Sequence, residues 1–328
     1  MGRRIHYLRQ AGMGLVLAAL ALAPSLAPAQ AYPQRAVKMV VPFPPGGLND
    51  VVARALAQKL QDAWGQGVVV ENRAGGSTVI GSELVARAAP DGYTLLVTSA
   101  AHAINKGFFR KLPYDTVTSF TPVMLIATSP FILVVKNELP ARTVAEFIAL
   151  AKARPGALTY SSTGTGGSSH LMGEMLAHQA GINILHVPYK GMAPALTDLI
   201  SGQVDFTFGS YSSVGPYLKG GRMRAVAVSS AKRIGVMPAL PAIAEAGFPD
   251  YDANPWWGLV GPAGMPPAIV NRIHTDAVRS LRAQDVAERF RDAGVEVVAS
   301  TPAEYAAHLD RDVARWEQVM RSAGMKPE

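Results

Sequence analysis

Cysteine is absent from this chain. No disulfide can staple the fold and no lipid can be attached through a thiol, so a packed core must supply stability unaided. The seven histidines, His6, His102, His170, His178, His186, His274 and His308, show no His-x-x-x-His spacing and no neighbouring carboxylate pair of the zinc type. With cysteine missing as well, neither a structural nor a catalytic metal is expected. No Gly-x-Ser-x-Gly elbow occurs, which weighs against a serine hydrolase. Phosphate-loop and dinucleotide fingerprints are also lacking, so no cofactor is expected. Basic residues are scattered rather than gathered in runs interleaved with aromatics, leaving nucleic-acid binding without support. There is no low-complexity segment or short tandem repeat. Beyond the first thirty or so residues, no apolar run approaches the about 20 residues that a membrane span requires.

The N-terminus stands apart. Arg3, Arg4 and Arg9 form a basic start, Gly12 to Ala23 is uncharged and apolar, and Pro24 and Pro28 break the run. Ala27-Pro28-Ala29 and Ala29-Gln30-Ala31 both offer small-x-small cleavage sites. Residues 1–31 therefore read as a cleaved secretory signal rather than an anchor, and the Arg3-Arg4 pair leaves twin-arginine export open beside the general route. About 297 residues remain, enough for two lobes of ordinary size. The formal charge of +7 falls to +4 without the three leading arginines, a surface mildly favourable to anionic solutes. An exported, unanchored monomer in the periplasm is expected.

Strand-like and helix-like patterns then alternate almost throughout, which predicts an α/β fold with largely parallel sheets flanked by helices. Strands are predicted at Val37–Val41, Val68–Val70, Tyr93–Val97, Phe131–Val135, Leu158–Tyr160, Ile184–Val187, Val204–Phe208, Arg224–Val228 and Trp257–Val260. Between and after them fall helices at Asn49–Trp64, Ser77–Ala88, Val144–Ala153, Ser168–Ala180, Ala193–Ser201, Ala268–Leu281 and Ala303–Met320. The chain is expected to cross between lobes near Ala127–Phe131 and again near Asp252–Trp256. Residues 32–130 with 256–328 would then form a discontinuous first lobe, and residues 131–255 the second.

Two glycine-rich turns carry the chemistry. Pro42-Phe43-Pro44-Pro45-Gly46-Gly47-Leu48-Asn49-Asp50 and Ser161-Ser162-Thr163-Gly164-Thr165-Gly166-Gly167-Ser168-Ser169-His170 each follow a short apolar β-branched run and precede a helical pattern. Each presents backbone N–H groups at a helix N-terminus, a geometry suited to anions. In the first, Asn49 is a natural N-cap and Pro44-Pro45 stiffens the approach. Taken alone, this turn reads equally well as a plain connector. The second adds hydroxyls that can replace water around a carboxylate without adding charge. His170, just past that turn, is a candidate hydrogen-bonding group. Asp205, in an apolar strand, either accepts from ligand amino or hydroxyl groups or caps local backbone. Trp256-Trp257 could stack on a ligand, but its place beside Pro255 at an expected crossing favours packing of the lobe junction.

Ordered motifs along the mature chain resemble those of the tripartite tricarboxylate transporter substrate-binding receptors, also called Bug receptors. They include Val41-Pro42-Phe43-Pro44-Pro45-Gly46-Gly47 followed by Asp50, Val70-Glu71-Asn72-Arg73, Pro90-Asp91-Gly92-Tyr93-Thr94-Leu95-Leu96 and Leu112-Pro113-Tyr114-Asp115. His186-Val187-Pro188-Tyr189-Lys190-Gly191, Gly202-Gln203-Val204-Asp205, Ala244-Glu245-Ala246-Gly247 and Gly261-Pro262-Ala263-Gly264-Met265-Pro266 complete the set. The resemblance implies a two-lobed Venus-flytrap fold of type II with ligand in the interlobe cleft. It implies that the turns Phe43–Asp50 and Thr163–Ser168 hold carboxylate groups, partly through bridging water. It further places Ser99, Ala100 and Asp205 at the cleft, with His102 in the variable segment that follows Ser99 and Ala100. Ala74-Gly75-Gly76-Ser77-Thr78-Val79 departs from the proline and Gly-Ala-Gly-Gly run usual in that family.

The function so implied is non-enzymatic: capture of a small carboxylate and its delivery to the membrane permease subunits of a tripartite tricarboxylate-type transporter. Presentation of the solute to a membrane sensor, or a secreted hydrolase using His170, Ser168 and Asp205, are the alternatives. Aliphatic, aromatic, amino-acid and pyridine carboxylates all remain open as ligands.

Overall fold

Val37, Met39, Val40 and Val41 are fully buried, the mark of a strand covered on both faces. They form β1 (Val37–Val41), which pairs in parallel with β2 (Val68–Asn72) and β3 (Thr94–Ser99). The computed structural model describes residues 32–165, 167–322, 324 and 327, so the leading segment 1–31 and Gly166 lie outside the described residues. Residues Arg35–Glu328 make one compact unit. No helix among the described residues is long and apolar enough to cross a membrane.

After β4 (Phe120–Thr128) the chain enters a second sheet built from β5 (Phe131–Val135), β6 (Thr159–Ser162), β7 (Leu185–Pro188), β8 (Phe206–Ser210) and β9 (Arg224–Val228). It then returns to the first sheet as β10 (Trp256–Pro262) and β11 (Glu296–Val297). The six-stranded sheet has the order β11-β4-β10-β3-β1-β2, and the five-stranded sheet β7-β6-β8-β5-β9. Both sheets are mixed, which corrects the expectation of mostly parallel ones. β10 runs antiparallel to β3 and β4, and β5 antiparallel to β8 and β9. These strands enter their sheets directly from a crossing rather than through a βαβ unit, so the parallel rule does not govern them. The two crossing segments lie side by side, with Ser129 N donating to Pro255 O at 2.9 Å.

Helices α1 (Leu48–Trp64), α2 (Val79–Ala86) and α3 (Ala100–Phe108) belong to the first part of the chain. α4 (Val144–Ala153), α5 (Ser168–Ala180), α6 (Met192–Ile200) and α7 (Tyr211–Lys219) flank the second sheet. α8 (Pro267–Leu281), α9 (Gln284–Asp292) and α10 (Pro302–Ser322) follow the return. α1 buries Val52, Ala55, Leu56 and Leu60 on one stripe and stops at Gly65, whose φ of 62° ends the helix with an N–H bond to Gln61 O. α10 packs on both α3 and α5, bridging the two halves. Trp256 of the return strand is locked to it, because the indoles of Trp256 and Trp316 both donate to buried Asp312, at 2.7 and 2.9 Å.

Candidate binding cleft

Both glycine-rich turns leave a strand at its carboxyl end, where open α/β sheets hold their ligands. The first runs from β1 to α1 and the second from β6 to α5. Neither helix carries a side-chain cap: α1 starts from Gly47 and α5 from Gly167, both extended at the cap position. The N-cap role expected of Asn49 therefore falls to Gly47. Asn49 sits inside the first turn of α1, and its Oδ1 accepts a hydrogen bond from Trp257 Nε1 at 2.8 Å.

A cavity of about 430 Å³ lies where the two turns face each other. Pro42, Phe43 and Pro44 line it from the first turn, and Thr165 and Gly167 from the second. Ala101, Ile104, Asn105 and Phe108 form one face of α3 along it. Ala74, Gly75, Ser77 and Thr78 close the remaining wall. That wall has an unusual backbone: Gly75, Gly76, Ser77 and Thr78 all have positive φ, at 131°, 52°, 49° and 80°. Side chains at Ser77 and Thr78 make this conformation costly. Asn105 holds it, donating from Nδ2 to Ser77 O at 2.6 Å and to Thr78 Oγ1 at 3.0 Å.

Each turn is set by groups behind it. In the first, Asp50 is only 4% exposed. Its carboxylate accepts from Gly46 N at 3.0 Å, Arg54 Nε at 2.9 Å and Asn72 Nδ2 at 2.9 Å. The Arg54 hydrogen bond, with the others, holds its pKa down to about 2. Asn72 Nδ2 also donates to Phe43 O at 3.1 Å. Asp50 thus shapes the loop and takes up one of its N–H groups itself.

In the second turn, Ser169 Oγ accepts from Thr163 N at 3.0 Å. Ser162 Oγ accepts from Gly164 N and donates to Gly164 O, both at 3.1 Å. Behind Ser162 stands His186, with its Nε2 2.6 Å from that hydroxyl. With His186 in the Nε2–H tautomer, the imidazole donates to Ser162 Oγ, whose own proton goes to Gly164 O. His186 stacks on His170 at 3.9 Å, and burial holds both imidazoles down to about 4.

Three expected positions prove to be elsewhere. Asp205 immediately precedes β8, at the end of the sheet away from the turn. Its Oδ2 accepts from Thr159 N at 2.8 Å and Thr159 Oγ1 at 3.1 Å, and its Oδ1 pairs with Lys136 at 2.7 Å. The backbone-capping alternative therefore describes it. His102 is not among the residues lining the cavity and is 1% exposed. It lies between Tyr114 and Phe120 and donates from Nε2 to Thr116 O at 2.9 Å. His170 turns inward under the second turn, 6% exposed. Ser99 and Ala100 lie at the carboxyl end of β3, and the next residue, Ala101, is the one that lines the cavity. In the segment expected at the cleft, the residues that line the cavity are Ala101, Ile104, Asn105 and Phe108 of α3, and Trp257 reaches the first turn by its hydrogen bond to Asn49 rather than by lining the cavity. The spacing of Ala101, Ile104, Asn105 and Phe108 is the sequence signal that marks the α3 face.

Two α/β lobes with a cavity between glycine turns at helix starts define a two-lobed solute-binding protein. The chain belongs to the tripartite tricarboxylate transporter receptor family, whose model, described as "Tripartite tricarboxylate transporter family receptor", matches residues 52–325. It is 36% identical over 316 residues to protein BugT of Bordetella pertussis, covering 96% of this chain and 97% of that one. Among solved structures it is similar to R. palustris Rpa4515 with adipate, at 38% identity and a TM-score of 0.75, over 90% of this chain and 100% of that one. MatC from Rhodopseudomonas palustris with bound malate is similar at 32% identity and a TM-score of 0.71, over 88% of this chain and 99% of that one. A third similar structure is the periplasmic binding protein BugD, at 33% identity and a TM-score of 0.72, over 90% of this chain and 100% of that one.

Proposed function

We propose that this chain is a periplasmic receptor that captures a small carboxylate between its two glycine turns and hands it to the permease subunits of a tripartite tricarboxylate-type transporter. One observation carries the reading: Phe43 and Pro44 of one turn and Thr165 and Gly167 of the other line a single cavity. The ligand carboxylate would accept from backbone N–H groups at the starts of α1 and α5, with the Thr165 and Ser168 hydroxyls beside it. Contacts to both lobes, split at 130/131 and 255/256, favour the closed state because only that state makes them all. Residues 1–31 would direct export and be removed, leaving an unanchored monomer. Adipate and malate in the related structures agree with a carboxylate ligand. No reaction is assigned to the site, and capture without turnover is the expected activity.

A thermal-shift panel on the mature chain tests this. A cognate carboxylate at a hundredfold excess over its dissociation constant should add about 2.7 kcal/mol of stability. A panel in which neutral solutes shift the melt and no carboxylate does contradicts the proposal.

A further inference from the structure

The part of the cavity lining outside the glycine turns carries information about the ligand's other end. Ala101, Ile104 and Phe108 present a hydrocarbon stripe along α3, and Phe43 adds a second aromatic surface. The polar member of that helical face is already committed. Asn105 is 2% exposed, and its amide nitrogen donates to Ser77 O and Thr78 Oγ1. None of the described residues lining the cavity is charged. Resting on the carboxylate reading above, we infer that the ligand is a monocarboxylate with a ring-sized hydrocarbon body, aromatic or alicyclic, rather than a hydroxylated di- or tricarboxylate.

The physical argument is one of unpaired groups. The glycine turns offer N–H and O–H donors for one carboxylate. A second carboxylate or a hydroxyl directed at Ala101, Ile104 and Phe108 would leave water with no hydrogen-bond partner on that stripe, and burying an unpaired polar group costs about 1–3 kcal/mol, more for a charge. A ring laid against Phe43, Ile104 and Phe108 instead gains from the same surface. Discrimination of this kind is strong because it penalises the wrong ligand rather than merely failing to reward it. The left-handed stretch Gly75–Thr78, braced by Asn105, fixes the wall at the ring's edge.

The test is calorimetric titration of the mature chain with phenylacetate, cyclohexanecarboxylate, adipate, malate and citrate. At least one ring monocarboxylate should bind tenfold or more tightly than any of the three polycarboxylates. The Phe108→Ala variant should weaken that ring ligand about tenfold, with an unchanged far-UV spectrum. If malate, adipate or citrate binds more tightly than both ring acids, the inference is overturned and the carboxylate reading stands. If none of the five binds while neutral solutes do, the carboxylate reading itself falls. Undiminished binding of the ring acid to a folded Phe108→Ala variant overturns the α3 assignment. A variant that does not fold leaves the wild-type ranking to decide.

Discussion

Trp257 of the return strand donates from its indole nitrogen to Asn49 Oδ1, 2.8 Å away and 208 residues distant in sequence. The bond ties the first turn of α1 to the strand that re-enters the first sheet, so the first glycine turn is positioned by β10. Trp257→Phe keeps the packing and removes the donor. A neutral hydrogen bond is worth about 1 kcal/mol, so ligand affinity should fall about fivefold. Titration of the variant with a wild-type ligand checks this, and unchanged affinity would remove Trp257 from the binding apparatus.

His186 acts one step behind the second turn, through Ser162 to both backbone groups of Gly164. His186→Leu should weaken ligand binding about five- to tenfold. His186→Gln can place an N–H at the same oxygen and should recover most of the loss. Equal affinity for the two variants would assign His186 a packing role only.

Gly164 has a φ of 130°, and an added Cβ would find its nearest neighbour, Tyr189 O, at 3.7 Å. Space is available, so the penalty for Gly164→Ala is one of backbone conformation. The variant should lose about 1–2 kcal/mol of stability, and binding should fall by more than the His186 variants show. Full-strength binding in a correctly folded Gly164→Ala protein would count against the second turn as the ligand's cradle.

Asp205 offers a contrast, since its carboxylate is occupied by Thr159 and Lys136 within the second lobe. Asp205→Asn should lower stability by about 1–3 kcal/mol and leave the dissociation constant within about twofold. A selective loss of affinity would return this residue to the ligand.

The pH dependence of folding follows from groups whose pKa values are all held below their ordinary range. Burial holds His102 at about 4 against an ordinary value of 6.5, so as pH falls the unfolded chain takes up a proton that the folded one refuses. Stability should therefore decline from about pH 6.5 to about pH 4, with His102 contributing roughly 3 kcal/mol and His170 and His186 acting in the same window. Asp50, held down to about 2, stabilises the fold above its ordinary pKa, and that contribution of about 2 kcal/mol is lost as pH falls from about 4 towards 2. Melting temperatures across pH 3–8 read both effects. His102→Gln keeps a donor for Thr116 and cannot titrate, so it should flatten part of the upper decline; an identical slope would contradict the assignment.

Much of the fold was legible because its signals are local. β1 and α4 fall at the residues predicted, and α1 and α5 differ by at most one residue. β4 was not legible: Pro122 sits within its run, and only the register shift opposite Leu259 and Val260 lets the sheet accept it. α7 was hidden by Gly215 and Pro216 in its interior. α3 begins directly after β3 with no turn residue between them, so no local signal separates the helix from the strand before it. The two turns could be read as anion cradles because glycine and hydroxyl spacing is a short-range feature. Which side chains stand behind them could not. Trp257, Asn72 and His186 reach the turns from strands that only tertiary folding brings near, while Asp205 and His102 are drawn to partners in their own lobes.

The central claim is that a single charged carboxylate is held by backbone donors of both turns, and calorimetric titration with a matched pair tests it most directly. The mature chain would be titrated with the tightest-binding carboxylate found and with its carboxamide, which has nearly the same shape and no charge. Charge-assisted hydrogen bonds are worth about 1.5–3 kcal/mol each, so the carboxamide should bind at least tenfold more weakly. Equal affinity for the acid and the amide would contradict the account.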